Sequence, residues 1–348
     1  MDTQYLKLDK DNPDVKALAF AAGVLRQGGL VAFPTETVYG LGANGLDKEA
    51  VAGIFRAKGR PSDNPLILHI ADTPAIFSLA ADVPANARAL MERFWPGPLT
   101  VVLKRKPIVP DAVTGGLDTV AIRLPASKVA RELIRLSQVP VAAPSANISG
   151  RPSPANAQDV LTDLGGRIAI IIDAGPCDIG LESTVVDCTT PVPTLLRPGG
   201  VTYEMLINIL GAVEIDPGSA GDGGIPRSPG MKYAHYAPKA AMYLVEAGRF
   251  AAGAILRREI DLALAQRKRV GAVVAAETAS ELPASVIVAA YGRYSDAGAI
   301  AANLYTALRY FDDKAVDVIY AQGVSEAGLG LAIMNRLRKA SGYRIIRE

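Results

Sequence analysis

A chain of 348 residues is long for a single hydrophobic core, so two domains are the first expectation. With 49% hydrophobic and 21% charged residues and a formal net charge of +2, the composition is that of a soluble globular protein, and bulk charge selects neither a nucleic acid nor an acidic ligand. No apolar run reaches the roughly 18–20 residues that span a bilayer, the opening MDTQYLKLDKDNPD lacks the apolar stretch of a secretion signal, and a cytoplasmic protein is expected. Cys177 and Cys188 are too few for a disulfide framework or a Cys-rich zinc site.

In chain order, PDVKALAFAAGVLRQGG has helical spacing at Val15, Leu18, Ala22 and Leu25, with Gly28 as a stop. LVAFP reads as a short buried strand. LDKEAVAGIFRAKG reads as a helix that starts near Asp47. PLILHI, PLTVVLK and TVAIRLP are strands, Ser127 caps a helix through Ser137, and PVAAPS is another strand. A helix follows at SPANAQDVLTDLGG, then the strands RIAIIID, STVVDC and TLLRPG, then the helix VTYEMLINIL. From Asp216 to Pro238 the chain has five Gly and four Pro and no periodicity, a long connection of the kind that is either a linker or functional. Beyond it, AMYLVEA, RVGAVVAA, SVIVAAYG and AVDVIYA read as strands, interleaved with helices around 248–266, 297–311 and 328–341. The fold class expected is mixed α/β: a larger layered domain over 1–212, a linker over 213–238 and a smaller, Rossmann-like α/β domain over 239–348.

Familiar motifs are few. Gly40-Leu41-Gly42-Ala43-Asn44-Gly45 fits G-x-G-x-x-G, but PTETVY separates it from the preceding strand, which is the wrong register for a dinucleotide site. Its glycines read instead as permitting a tight bend and close packing. There is no G-x-x-x-x-G-K-[ST], no H-E-x-x-H, no paired Cys/His spacing and no G-x-S-x-G. Six polar clusters at strand ends stand out instead: Pro34 to Gly40, Lys58 to Pro65 followed by His69, Thr119 to Pro125, Ala143 to Ser153, Leu181 to Thr184, and Leu196 to Gly200. They supply Lys58, Arg60, Arg123 and Arg197 together with hydroxyls and loop N–H groups, an inventory that suits phosphates and carboxylates. Arg123 lies inside an apolar strand, where a charge needs a partner or a ligand. Each cluster by itself is ordinary turn chemistry. Their common placement at the sheet edge is what suggests a ligand.

PTETVYGLGANG, KGRPSDNPLILHI, FWPGPLT, VAIRLPA, PSANISGRPSP, LESTVVD and LLRPG, in that order, resemble the YrdC-like family. SPGMKYAHYAPK followed by an α/β domain resembles its long, two-domain form, the threonylcarbamoyl-AMP synthases. The resemblance is dense over the first 200 residues and at the linker, and looser beyond. It implies a YrdC-like twisted mixed sheet with flanking helices. It also implies a nucleotidyltransferase that converts L-threonine, bicarbonate or CO2, and ATP into L-threonylcarbamoyladenylate, diphosphate and water. The product is passed to a separate threonylcarbamoyl transferase complex in N6-threonylcarbamoyladenosine tRNA modification; direct tRNA contact is allowed by this reading but not required.

Residue by residue, the resemblance places L-threonine near Thr35, His69, Arg123, Ala143 and Ser183, with Arg123 on its carboxylate. ATP falls to Lys58, Ser62, Thr119, Ser145, Asn147, Ser153, Arg197 and Tyr236, with Arg60 a further phosphate ligand. Lys58, Arg60 and Arg123 are the expected catalytic cations. Mg2+ is expected on the ATP oxygens, since no carboxylate cage is visible. Met231, Tyr233, His235 and Tyr236 of the linker, packed between prolines with Lys232 beside them, are unusual for a plain tether, and the resemblance implies that the segment is a lid over the nucleotide with Tyr236 near ATP. No cluster comparable to the six follows Pro238, so no second substrate site is expected. The alternatives are an RNA-binding module, for which the basic stretch NRLRKASGYRIIR speaks, and a carbamoyl-phosphate-dependent carbamoyltransferase, whose Cys-rich zinc segments this chain lacks.

Overall fold

The computed structural model describes residues 2–216 and 235–347. These form two compact units, one of residues 2–149, 154–178 and 182–216, the other of residues 150–153, 179–181 and 235–347. Met231, Lys232 and Tyr233 of the linker lie outside the described residues.

The first unit runs β1 (Gln4–Lys7), α1 (Val15–Arg26), β2 (Val31–Phe33), β3 (Gly40–Asn44), α2 (Lys48–Lys58), β4 (Ile67–His69), α3 (Ile76–Leu79), α4 (Ala85–Phe94), β5 (Leu99–Lys104), α5 (Asp111–Thr114) and β6 (Thr119–Arg123). It continues with α6 (Lys128–Ser137), β7 (Val141–Ala142), α7 (Ala157–Leu164), β8 (Ile170–Asp173), β9 (Thr184–Asp187), β10 (Thr194–Arg197), α8 (Tyr203–Leu210) and β11 (Glu214–Ile215). The eleven strands make one mixed sheet in the order β1-β8-β2-β3-β7-β4-β6-β5-β9-β10-β11. Two helix starts follow the side chains singled out in the sequence, the Asp47 carboxylate accepting from Glu49 and Ala50 N–H and the Ser127 hydroxyl from Ala130; α1 is capped likewise by Asp14, which accepts from Lys16 and Ala17 N–H. Helix α2 stops at Gly59, whose φ of 63° is left-handed, so Lys58 is the last helical residue and its side chain leaves the helix end. Leu18, Ala22 and Leu25 of α1 and Val129, Leu133 and Ile134 of α6 bury their faces against Val31, Phe33, Val141 and Ile170 of the sheet.

The expected bend at Gly40 to Gly45 is instead strand β3, antiparallel to β2 with Gly42 opposite Val31. A Cβ on Gly42 would lie 2.8 Å from both Phe33 Cε1 and Val141 Cγ1, and one on Gly45 would lie 2.5 Å from Leu68 Cδ2. The glycines serve close packing, and none of the three has positive φ. Helix α4 was not anticipated because its N-cap is Pro84, with no side-chain capping bond to signal a start.

The second unit contains β12 (Ala241–Val245), α9 (Arg249–Ala265), β13 (Val270–Val274), α10 (Ala276–Ala279), β14 (Ile287–Ala290), α11 (Ala297–Arg309), β15 (Val318–Gln322), α12 (Gly330–Ala340) and β16 (Ile345–Ile346). Its sheet is parallel throughout, in the order β14-β13-β15-β12-β16, with helices connecting successive strands, as expected of a smaller α/β domain. Leu256 and Ile260 of α9 pack on Val270, Ala272 and Val274 of β13.

Candidate active site

Three adjacent strands of the first sheet set one row of polar side chains. His69 on β4 lies opposite Arg123 on β6, and Arg123 lies opposite Thr100 on β5. Directly opposed residues share a face, and all three are buried. Arg123, 4% exposed, is the charge that the sequence placed inside an apolar strand, and its partner is Glu36: Nη2 donates to Oε1 at 2.6 Å. Nη1 donates to Thr37 Oγ1 at 2.9 Å and Nε to the Gly97 carbonyl at 3.3 Å. Three of the five guanidinium hydrogens are thereby used. One on each Nη has no acceptor among the described residues. Burial alone would raise the Glu36 carboxyl, but the Arg123 charge and hydrogen bond hold it below the ordinary carboxylate value.

Burial, with the nearby Arg123 charge, lowers His69 to about 3, so its imidazole is neutral. Its Nδ1 lies 3.2 Å from the Ile67 carbonyl, which also accepts from the Ala143 N–H at 2.9 Å. An acceptor there fixes the hydrogen on Nδ1, so in the neutral ring the lone pair is on Nε2. The Phe33 ring meets the imidazole edge-on at 6.3 Å between centroids.

The hydroxyls divide into a closed set and an open one. Thr35 Oγ1 donates to the Val38 carbonyl at 2.7 Å, so in its 2.8 Å contact with Thr37 it must accept, and Thr37 in turn accepts from Arg123. Every hydroxyl hydrogen of this set is spent within the protein, which leaves the Thr35 backbone, not its hydroxyl hydrogen, to meet a ligand. The second set is Thr100 and Ser183, whose hydroxyl oxygens are 2.8 Å apart. Arg197 holds it from the far side: Nε and Nη2 donate to the Ser183 carbonyl at 3.1 and 3.0 Å, and Nη2 to Ser183 Oγ at 3.2 Å.

Lys58, 1% exposed, fastens the fourth polar cluster. Its Nζ donates to the Ser145 carbonyl at 2.5 Å, to the Asn147 carbonyl, and more loosely to Asn147 Oδ1 at 3.4 Å. Ser145 Oγ donates to the same Oδ1 at 2.5 Å. This loop is stitched to β3 by a Gly40–Ser145 bridge and by the Leu41 N–H to Pro144 carbonyl bond of 2.8 Å. Lys58, Ser145 and Asn147 thus form one group next to the strand that leads out of the Thr35–Thr37 turn.

Arg60 folds back, Nη2 donating to the Pro65 carbonyl at 3.2 Å. Ser62 is exposed in the loop before β4, and Thr119 opens β6 opposite Lys104, four residues from Arg123. Ser153 and Tyr236 belong to the second unit. There Tyr236, at φ 65°, stacks between His235 and Tyr305, with the Arg336 guanidinium 5.7 Å from its ring. Sequence reasoning did not select Glu36, Thr37 or Thr100. Glu36 had a signal, as the only carboxylate in a polar turn and the natural partner for a buried Arg; Thr100 had only its hydroxyl in a buried strand. Burial pushes the Cys177 thiol above its ordinary value, which disfavours the thiolate. Among the described residues no group of three or more His, Cys, Asp or Glu side chains is placed to hold a metal ion, and no helix is long and apolar enough to cross a membrane.

Residues 23–199 match the Sua5/YciO/YrdC family model, whose description reads "Telomere recombination", and residues 201–342 match "Threonylcarbamoyl-AMP synthase, C-terminal domain". A threonylcarbamoyl-AMP synthase of Pyrococcus abyssi is 51% identical over 331 residues, 95% of each chain, and one of Bacillus subtilis is 48% identical over 344 residues, 98% of this chain and 96% of that one. The structure of P. abyssi Sua5 complexed with L-threonine superposes with a TM-score of 0.94 at 49% identity, covering 99% of this chain and 100% of that one. Escherichia coli YciO, at 26% identity and a TM-score of 0.52, covers 57% of this chain and 96% of its own.

Proposed function

Because this chain belongs to the threonylcarbamoyl-AMP synthase family, we propose that it joins L-threonine, bicarbonate or CO2, and ATP into L-threonylcarbamoyladenylate, releasing diphosphate and, where bicarbonate is first dehydrated to CO2, one water. It is a nucleotidyltransferase of the pathway that installs threonylcarbamoyladenosine in tRNA, and a separate transferase complex consumes its product. The catalytic domain is residues 1–212, and residues 213–238 join it to the domain at 239–348.

The observation that carries this reading is the buried row of His69, Arg123 and Thr100, extended by Ser183 and Arg197. Such a face offers the Arg123 guanidinium and, through the Thr100–Ser183 pair, one hydroxyl hydrogen to carboxylate and phosphate oxygens without presenting a nucleophile. That matches a reaction in which the substrates attack one another. The threonine amine adds to the carbon of CO2 and loses a proton, giving a carbamate. A carbamate oxygen then forms a bond to the α-phosphorus as the bond to the β-phosphate oxygen breaks, and the electron pair leaves with diphosphate. Catalysis then rests on alignment and charge stabilisation, and holding two reactants in line is worth on the order of 7 kcal/mol or more.

In this reading the two remaining Nη hydrogens of Arg123 take the threonine carboxylate. The neutral His69 presents an Nε2 lone pair to a donor of the amino acid. A group lowered to about 3 is too weak a base to strip an ammonium, so His69 orients rather than deprotonates. Lys58, Ser145, Asn147 and Arg197 form the ATP side, with Arg60, Ser62, Thr119, Ser153 and Tyr236 assigned to it by resemblance. Mg2+ would accompany ATP as counter-charge to its phosphates, since among the described residues no group of three or more His, Cys, Asp or Glu side chains is placed to hold a resident ion. The test is diphosphate release from ATP with L-threonine and bicarbonate omitted in turn. Release is expected to require both, and release indifferent to both omissions would overturn the assignment.

A further inference from the structure

The hydrogen inventory of the Thr100–Ser183 pair does not close. Thr100 is fully buried on β5 and Ser183 is 1% exposed just before β9. Two hydroxyls bring two hydrogens. One lies between the two oxygens, 2.8 Å apart. Neither hydroxyl has another acceptor among the described residues, since the Arg197 Nη2 contact to Ser183 Oγ is a donation from the guanidinium. One O–H therefore points away from the protein's own acceptors, at a place where an unmet buried donor costs free energy. The Thr35–Thr37 set, built from the same residue type on a neighbouring turn, leaves no such hydrogen.

Which hydroxyl keeps the spare hydrogen follows from position. Thr100 has a β-branched side chain inside a strand flanked by Arg123 and Val185, whereas Ser183 sits at the strand's edge with a freely rotating hydroxyl. When Thr100 donates to Ser183, Ser183 Oγ accepts from both Thr100 and Arg197 and its hydrogen turns outward.

We propose that Thr100 is a positioning residue: its hydroxyl, with Arg197, polarises Ser183 so that the Ser183 O–H is presented to an anionic oxygen of the amino-acid substrate, the carboxylate or the carbamate it becomes. This rests on the threonine-dependent reading above and adds to it a residue that touches no ligand. It also explains a hydroxyl kept in an otherwise apolar buried strand.

The test uses the full-length protein and two readouts, KM for each substrate from diphosphate release and the dissociation constant of L-threonine by calorimetry. Thr100→Val keeps the shape and removes the donor. It is expected to weaken L-threonine binding and raise its KM by about fivefold to tenfold, as for one lost hydrogen bond, with KM for ATP unchanged. Thr100→Ser, which restores the hydroxyl, is expected to bring threonine back to within about twofold of wild type. In a Ser183→Ala background Thr100→Val should add nothing. Unchanged threonine binding in Thr100→Val, equal losses in the Val and Ser variants, or additivity with Ser183→Ala would each overturn the proposal. Wild-type diphosphate release indifferent to threonine would overturn the functional reading instead, while calorimetric binding still judges Thr100.

Discussion

Lys58 and Arg123 are both buried cations, but their surroundings differ. Arg123 is paired with a carboxylate and keeps two hydrogens for a ligand. Lys58 is turned toward the backbone carbonyls of the Ser145–Asn147 loop. Lys58→Ala is therefore expected to lose both a cation and the fastening of that loop, with adenylate formation reduced by at least about a hundredfold, the scale for removing one electrostatic stabiliser. Lys58→Arg should not rescue it, because a planar fork does not fit where a compact ammonium at 1% exposure reaches two carbonyls. Steady-state rates with saturating ATP check this, and near-wild-type activity in either variant would contradict the site's geometry. Arg123 was legible from sequence as a charge needing a partner. That its partner is Glu36 was not, because the two are 87 residues apart and meet only across the folded sheet.

At the scale of elements, helices that announce themselves through caps and periodic apolar positions were readable, and β3 was not. GLGAN has neither β-branched nor aromatic residues, so its strand character comes entirely from the space between Phe33 and Val141. Gly42→Ala is expected to destabilise the first unit by about 1–3 kcal/mol through overpacking. Gly53→Ala, within α2 and with no neighbour nearer than 3.5 Å, should stabilise it by up to about 1 kcal/mol. Denaturant unfolding followed by fluorescence of Trp95, the only tryptophan, reads this unit directly; its Nε1 donates to the Leu99 carbonyl beside Thr100. Equal effects of the two alanines would show that packing at β3 is not what selects glycine.

For the molecule as a whole, stability is expected to fall in acid for two reasons with the same sign. His69 titrates near 6.5 when unfolded and near 3 when folded. Between those values the unfolded chain binds a proton that the folded chain refuses, so stability declines as pH drops from about 6.5 toward 3. Glu36 is lowered on folding, so its contribution holds above the ordinary carboxylate value and is lost as pH falls through the depressed one. His69→Gln should flatten the decline between about pH 6.5 and 4.5, where Glu36 does not yet act, and leave the steeper loss below it. A variant that declines as steeply as wild type in that upper interval would show that His69 is not held neutral.

Sequence by itself determined the class of fold, most helix and strand positions, the six polar clusters and, through their order and spacing, the family. These are local properties: periodicity, capping residues and turn chemistry act over a few neighbours and are written in the chain. Only the tertiary structure decided that Arg123 is neutralised by Glu36, that the Thr35 hydroxyl is spent internally, and that Thr100 leaves Ser183 with a hydrogen to give. The first and last depend on register between strands distant in sequence, since a shift of one residue would turn Arg123 and Thr100 to the opposite face; the Thr35 bonds lie within one turn, whose conformation its residue types alone do not fix.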